Sequence, residues 1–342
     1  MAKRHSLGAV TLKDVARKAG VSYQTVSRAV NGFAEVSPQT RTRVLRIAER
    51  MGYRPNRLAG SLRTNHTKVI GLVMSDIENV FFTEIVGGVE DEATQRGYSV
   101  ILANTRESLE HEQQVVASLL ERRVDGLIIA PTAGNHAYLA SLLPKKFPVV
   151  AINRMIDAIR CGGVMTDNAG GARCGVEYLV GRGHTRIAAF VGSTELMTSR
   201  ERLQGFRTAM QAASLPIRNE WLAAAGFFPE GGRRAAIKVF SMRERPTAVL
   251  TSSSRLSEGV LLGLKELGLR HGRDVEVIGF DNFPWAALLD PPIPVIAQPT
   301  HQIGRRAVRM LTDMITGTGV PSLVRLPTRL ITHQEAELSL SA

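Results

Sequence analysis

Tyr23, Gln24, Ser27 and Arg28 crowd into one short run, and together they carry the chemistry of reading a base edge. A glutamine amide offers the adjacent donor and acceptor that adenine matches. An arginine fork offers the two parallel donors that guanine O6 and N7 accept. Serine and tyrosine hydroxyls reach bases or phosphates. Groups of another kind stand where apolar runs end. Ser75-Asp76-Ile77-Glu78-Asn79-Val80-Phe81-Phe82 follows one such run, Asn153-Arg154 another, and Asp281 a third. A carboxylate there could accept a pair of hydroxyls. Phe81 or Phe82 could stack on the apolar face of a sugar ring, or be core residues at a helix start.

The first group needs a helix to present it. Thr11, with Asp14 three residues on, is a cap followed by an acid, and Leu12, Val15, Ala16 and Ala19 recur at helical spacing. Gly20-Val21 breaks that helix. Ser22 can cap a second one with Val26, Ala29 and Val30 inward, and Ser37-Pro38 opens a third in cap-then-proline order. Two short helices across a glycine turn, with a third in support, make a helix-turn-helix, whose second helix is the reader.

Charge agrees with that reading. The net charge is +12. Residues 1–66 hold 13 Lys and Arg against 3 Asp and Glu, a balance of +10, and the rest of the chain holds 30 against 28, a balance of +2. Excess positive charge gathered in one fifth of the chain suits a nucleic-acid-binding module. With 342 residues, two or three globular units are expected. No apolar run reaches the roughly 18 residues that span a bilayer. The basic N-terminus leads into a polar helix and not a signal-peptide core, so a cytoplasmic location is expected. Cys161 and Cys174 read as two small buried side chains, with neither a disulfide framework nor a thiolate metal site. No metal or other cofactor is expected.

From Val69 onward, short apolar runs alternate with amphipathic stretches. Val69–Met74, Tyr98–Ala103, Gly126–Ala130 and Val149–Asn153 form one series, and Ile187–Val191, Ala248–Thr251 and Val275–Phe280 a second. Alternation of this kind implies parallel sheets covered by helices on both sides, with a ligand crevice at the carboxyl ends of the strands.

The run Thr11-Leu-Lys-Asp-Val-Ala-Arg-Lys-Ala-Gly-Val-Ser-Tyr-Gln-Thr-Val-Ser-Arg-Ala-Val-Asn31 closely resembles the N-terminal signature of the LacI family. The resemblance extends through the whole chain and implies a multidomain protein. An all-α helix-turn-helix DNA-binding domain (residues 1–54) and a hinge helix (55–66) precede an α/β body (67–335) like a periplasmic sugar-binding protein. That body would consist of two doubly wound lobes, the first at about 67–165 and 294–335, the second at about 166–293. Tyr23, Gln24 and Arg28 would contact base edges on a half-site of the lac type. Thr11, Ser22, Thr25, Ser27, Asn31 and Asn56 would complete the DNA contacts. Pro55 can begin a short helix with Leu58 and Leu62 on one face, although composition alone suits a plain solvent linker. The resemblance instead implies that the hinge folds on operator DNA and inserts Leu62 into the minor groove.

In the body the resemblance singles out Ser75, Asn79, Phe81, Phe82, Asn153, Arg154, Asp167, Arg202, Phe228, Ser253 and Asp281 as effector contacts. Arg202 matches the family arginine that forks onto ligand hydroxyls or a carboxylate, and Asp167 could instead only cap the helix after it. Departures are visible. Val80 replaces a proline, Asn153 an acid, and Ser252-Ser253-Ser254 stands where relatives carry Asn-Asp. The resemblance implies an effector-controlled repressor, acting as a homodimer on a pseudo-palindromic operator and responding to a sugar or sugar-derived molecule. Three rivals remain at this point: an enzyme, a solute-binding protein and an architectural DNA-binding protein without effector. No P-loop, G-x-S-x-G or H-E-x-x-H motif supports the first, and the cluster Gly170–Gly175 does not closely follow an apolar run. The absence of a heptad tail before Ala342 leads us to expect no tetramer.

Overall fold

A computed structural model describes residues 10–30, 35–53 and 66–332. The chain divides into a unit of residues 1–67 and one of residues 68–342.

The first unit contains α1 (Leu12–Ala19), α2 (Tyr23–Val30) and α3 (Pro38–Arg50). Local rules set their ends. The Thr11 hydroxyl accepts from the Asp14 amide at 3.3 Å while the Asp14 carboxylate accepts from the Thr11 amide at 3.0 Å, a reciprocal cap. Gly20 closes α1 at φ 65°, where a Cβ would be strained. Ser22 and Ser37 accept from the Thr25 and Thr40 amides and start α2 and α3. The core between them is Val15, Ala16, Ala19, Val26, Ala29, Val36, Val44 and Ala48. All of these side chains are small, with Leu12, Ile47, Met51 and Tyr53 packed partly buried against them.

The second unit holds two six-stranded sheets. The first contains β1 (Val69–Met74), β2 (Ser99–Asn104), β3 (Gly126–Ile129), β4 (Val149–Ile152), β5 (Gly162–Thr166) and β11 (Leu323–Leu326). Its order is β11-β5-β4-β3-β1-β2, all parallel. The second contains β6 (Ile187–Val191), β7 (Leu222–Ala224), β8 (Ala248–Thr251), β9 (Glu276–Phe280), β10 (Val295–Ala297) and β12 (Arg329–Ile331). Its order is β12-β10-β9-β8-β6-β7, with only β12 antiparallel. Helices Val80–Gln95 and Thr300–Ile315 cover one face of the first sheet, and Leu109–Glu121 and Ala137–Leu142 the other. The second sheet lies between Asn168–Gly181 with Met197–Ala212 and Pro229–Phe240 with Ser254–Glu266. Each sheet changes direction beside its first strand, between β1 and β3 and between β6 and β8, and a crevice opens at such a switch point.

Two expectations are corrected. The chain after residue 293 does not simply return to the first lobe. Helix Thr300–Ile315 and β11 do so, but Val295–Ala297 and Arg329–Ile331 pair in the second sheet. Neither three-residue strand is long enough to show a period of two. The glycine cluster 170–175 does closely follow a strand, β5. Its residues nevertheless lie inside helix Asn168–Gly181, and a Cβ at Gly171 would press on Ile296 and Phe280. Gly171 and Gly175 serve helix–sheet contact, and the cluster forms no phosphate loop.

Gly88 and Gly304 let helices Val80–Gln95 and Thr300–Ile315 touch backbone to backbone. A Cβ at Gly88 would collide with the His301 carbonyl oxygen, and one at Gly304 with that of Ile85. Alanine normally gains about 1 kcal/mol over glycine inside a helix, whereas overpacking costs about 1–3 kcal/mol. Collision with backbone should win, so Gly88→Ala is expected to lower the melting temperature. A higher one would show that the helices separate easily.

Candidate functional site

On the second helix of the first unit, Val26 and Ala29 are buried while Tyr23, Gln24 and Arg28 are exposed and Thr25 and Ser27 half-buried. The apolar stripe therefore turns the expected reading side chains outward. Among the described residues Arg28 carries one ion pair, its Nε 3.1 Å from Glu35 Oε2. Thr11 and Ser22 face solvent, each already engaged as a helix cap. Asn31, Asn56 and Leu62, with nearly all of the hinge, lie outside the described residues.

In the second unit a cleft opens at the carboxyl ends of the strands. Among its lining residues are Asn79, Phe81, Phe82, Asn153, Arg154, Arg202, Ser253 and Asp281, eight of the eleven effector contacts expected from the sequence. Arg202 is nearly buried. Its Nε donates to Asn168 Oδ1 at 2.8 Å, its Nη1 donates to the Ser252 carbonyl, and its guanidinium lies over the Phe280 ring, 4.0 Å from the centroid. Burial pulls its pKa down to about 10, against the opposing pull of Asp281, so it stays cationic near neutrality.

Asp281 turns into the cleft at φ 75°, one residue past β9. Its Oδ2 accepts from the Ser254 amide at 3.1 Å, at the start of helix Ser254–Glu266, and its Oδ1 accepts from Gln298 Nε2 at 2.7 Å. Gln298 Oε1 in turn accepts from the Thr166 hydroxyl at 2.6 Å. Both Thr166 and Gln298 sit where the chain passes between sheets, so the carboxylate is fixed by the crossover segments.

The facing wall comes from the first sheet. Arg154 donates from Nη1 and Nη2 to the two carboxylate oxygens of Glu107 at 2.9 and 2.8 Å, and from Nη1 to the Pro131 carbonyl at 2.8 Å. Asn153 stands beside it at φ 64°. Asn79 Oδ1 accepts from the Phe81 amide at 3.0 Å and also from the Ser254 hydroxyl across the cleft at 3.3 Å. Phe81 and Phe82 pack edge to face, centroids 5.0 Å apart. They are buried in the first core and still line the cleft.

Three expected residues do not line the cleft. Ser75 is fully buried at the end of β1, where its carbonyl accepts from the Glu107 amide at 2.9 Å. Asp167 accepts from the Gly170 amide at 2.8 Å and caps the following helix. Phe228 is 56% exposed. Its extended backbone, φ −110° and ψ 155°, puts successive side chains on opposite sides, so Phe227 lines the cleft in its place. Glu107 and Gln298 went unseen because the first sits in a left-handed turn after β2 and the second follows a three-residue strand. The cleft thus presents a buried cation, a fixed carboxylate, amide groups and aromatic edges. That set alternates donors with acceptors, as hydroxyl-rich rings require. Among the described residues, no group of three or more His, Cys, Asp or Glu could hold a metal ion, and no helix is long and apolar enough to cross a membrane.

Residues 67–334 match the family of periplasmic binding proteins and sugar binding domains of the LacI family, and residues 11–56 match the bacterial regulatory proteins of the lacI family. Catabolite control protein A of Priestia megaterium is 33% identical over 331 residues, 96% of this chain and 99% of that protein. A solved chain from Burkholderia thailandensis, provisionally named a ribose operon repressor, is 57% identical. It covers 78% of this chain and 99% of its own, with a TM-score of 0.74. The lac repressor dimer bound to operator and the anti-inducer ONPF is 30% identical with a TM-score of 0.84, covering 95% of this chain and 98% of its own.

Proposed function

The chain belongs to the LacI family of bacterial regulatory proteins, and on that premise we propose that it is an operator-binding repressor governed by a small hydroxyl-rich effector of the sugar class. The observation that carries the effector reading is the fixed pair Arg202 and Asp281 in one cleft. A fork donor and a two-oxygen acceptor held by the scaffold suit vicinal hydroxyls better than any turnover chemistry. Binding without catalysis follows from that reading, as does a cytoplasmic site of action beside DNA. Ribose is the first sugar to test, because the Burkholderia thailandensis chain bears that name. A homodimer is proposed from the lac repressor neighbour, a dimer on its operator, and two-fold symmetry then makes the operator a pseudo-palindrome. Asn31, Asn56 and Leu62 are proposed DNA contacts with Tyr23, Gln24, Ser27 and Arg28.

The deciding experiment selects bound DNA from random sequence with the full chain, then titrates pentoses, hexoses and nucleosides into that complex. A pseudo-palindromic site and one sugar that shifts both operator affinity and melting temperature are expected. Selection of no preferred sequence would sink the operator reading, and a flat response to every sugar would sink the effector reading. Arg28→Ala is expected to cost about 1–3 kcal/mol and to relax one base pair in each half-site. Equal loss on all sequences in a gel-shift titration would assign Arg28 to phosphate.

A further inference from the structure

We infer that Glu35 is a positioning residue for sequence recognition, holding Arg28 by Nε so that its two Nη groups are presented as a fork to a guanine edge. The inference rests on the operator reading above and names a determinant within it. Arg28 stands on the last turn of the second helix with its side chain 52% exposed, and Glu35 lies just before the Ser37 cap of the third helix, 62% exposed. Glu35 Oε2 is 3.1 Å from Arg28 Nε, the shortest approach between the two groups.

Stability gives no reason for this contact. An ion pair this open to water contributes little to folding, and the small core beneath it is complete without either residue. General DNA affinity gives none either, since a carboxylate beside the reading arginine opposes phosphate attraction. Geometry does give one. An arginine can meet guanine through Nη1 and Nη2 or through Nε and one Nη. A partner on Nε closes the second mode and leaves the first. A long side chain that docks from many rotamers loses that freedom on binding, and one held in place beforehand loses less. The benefit should appear as discrimination at a single base pair and nowhere else.

The test uses the full chain and measures affinity for the selected operator and for its single-base-pair variants. Arg28→Ala first identifies the pair that Arg28 reads. At that pair, Glu35→Ala is expected to lower discrimination by about three- to tenfold, within the range a good arginine–guanine contact supplies, with other positions unchanged. Glu35→Gln keeps an acceptor oxygen without the charge and should fall between wild type and Glu35→Ala. In the Arg28→Ala background, Glu35→Ala should add nothing at that position. Unchanged discrimination there overturns the inference, as does an effect that persists without Arg28. A uniform gain on every sequence would make Glu35 a simple repulsive charge and also overturn it. A wild-type chain with no base preference at all would instead be the failure of the operator reading.

Discussion

Arg202→Lys is expected to weaken effector binding by about a hundredfold or more. Lysine keeps the charge but not the fork. The native side chain already spends Nε on Asn168 and Nη1 on the Ser252 carbonyl while lying flat over Phe280. A single ammonium cannot hold those partners and face the cleft as well. A hundredfold is about 2.7 kcal/mol, the size of one or two hydrogen bonds from a charged fork to the effector. Calorimetric titration with the sugar that wild type selects reads the change directly. The ligand-free variant should still bind operator, because nothing in the first unit has altered. Effector affinity within threefold of wild type would leave Arg202 as a residue of the fold only.

Glu92→Gln is expected to destabilise the body substantially. Glu92 is buried on helix Val80–Gln95, and its carboxylate accepts from Arg309 Nε at 2.8 Å, Arg96 Nε at 3.0 Å and Arg305 Nε at 3.0 Å. The hydrogen bond from Arg309 leads in holding its pKa down to about 2 from 4.5, and burial opposes it. Because the folded value is depressed, the stabilisation is fully present above pH 4.5 and disappears as pH falls from there toward 2. At neutral pH the amide should lose about 2–3 kcal/mol, with the arginines' partial exposure limiting the cost. Melting curves of the two proteins should therefore differ clearly at pH 7 and converge only as the pH falls through about 2. A gap that stays constant with pH would assign the loss to packing.

Much of this was legible in the residues themselves. Helix ends at Thr11, Gly20, Ser22 and Ser37 are decided by side chains within four positions, so local reading placed all three helices of the first unit. The strands Val69–Met74, Ile187–Val191 and Ala248–Thr251 are continuous apolar runs buried on both faces, and they too stood out. β5 did not, because it begins Gly162-Gly163. A Cβ at Gly162 would collide with Met310, a neighbour almost 150 residues away along the chain. Helix Pro229–Phe240 was hidden likewise by Gly231 and Gly232, whose cause is close approach to the Ala225 and Leu256 carbonyls. In the cleft, residues one step past a strand were readable, since strand ends define the crevice. Phe227 was not, because which of two neighbours turns inward depends on backbone angles that composition does not reveal, and Gln298 was not, because the three-residue strand before it shows no pattern.

The interleaving of the two sheets also bears on how the chain is made. Ile303, Ala307, Val308 and Leu311 belong to the same core as Ile70, Leu72, Met74 and Ile128. During synthesis the apolar face of β3, β4 and β5 therefore waits for one of its two covering helices, with only Val80–Gln95 in place on that side, until residues beyond 300 have left the ribosome. Domains usually fold as they emerge, N-terminal first. Here the first lobe is begun first and cannot be finished until the second has been made. For that interval the nascent chain exposes a surface suited to a chaperone, and a message truncated before helix Thr300–Ile315 would yield a product prone to aggregate.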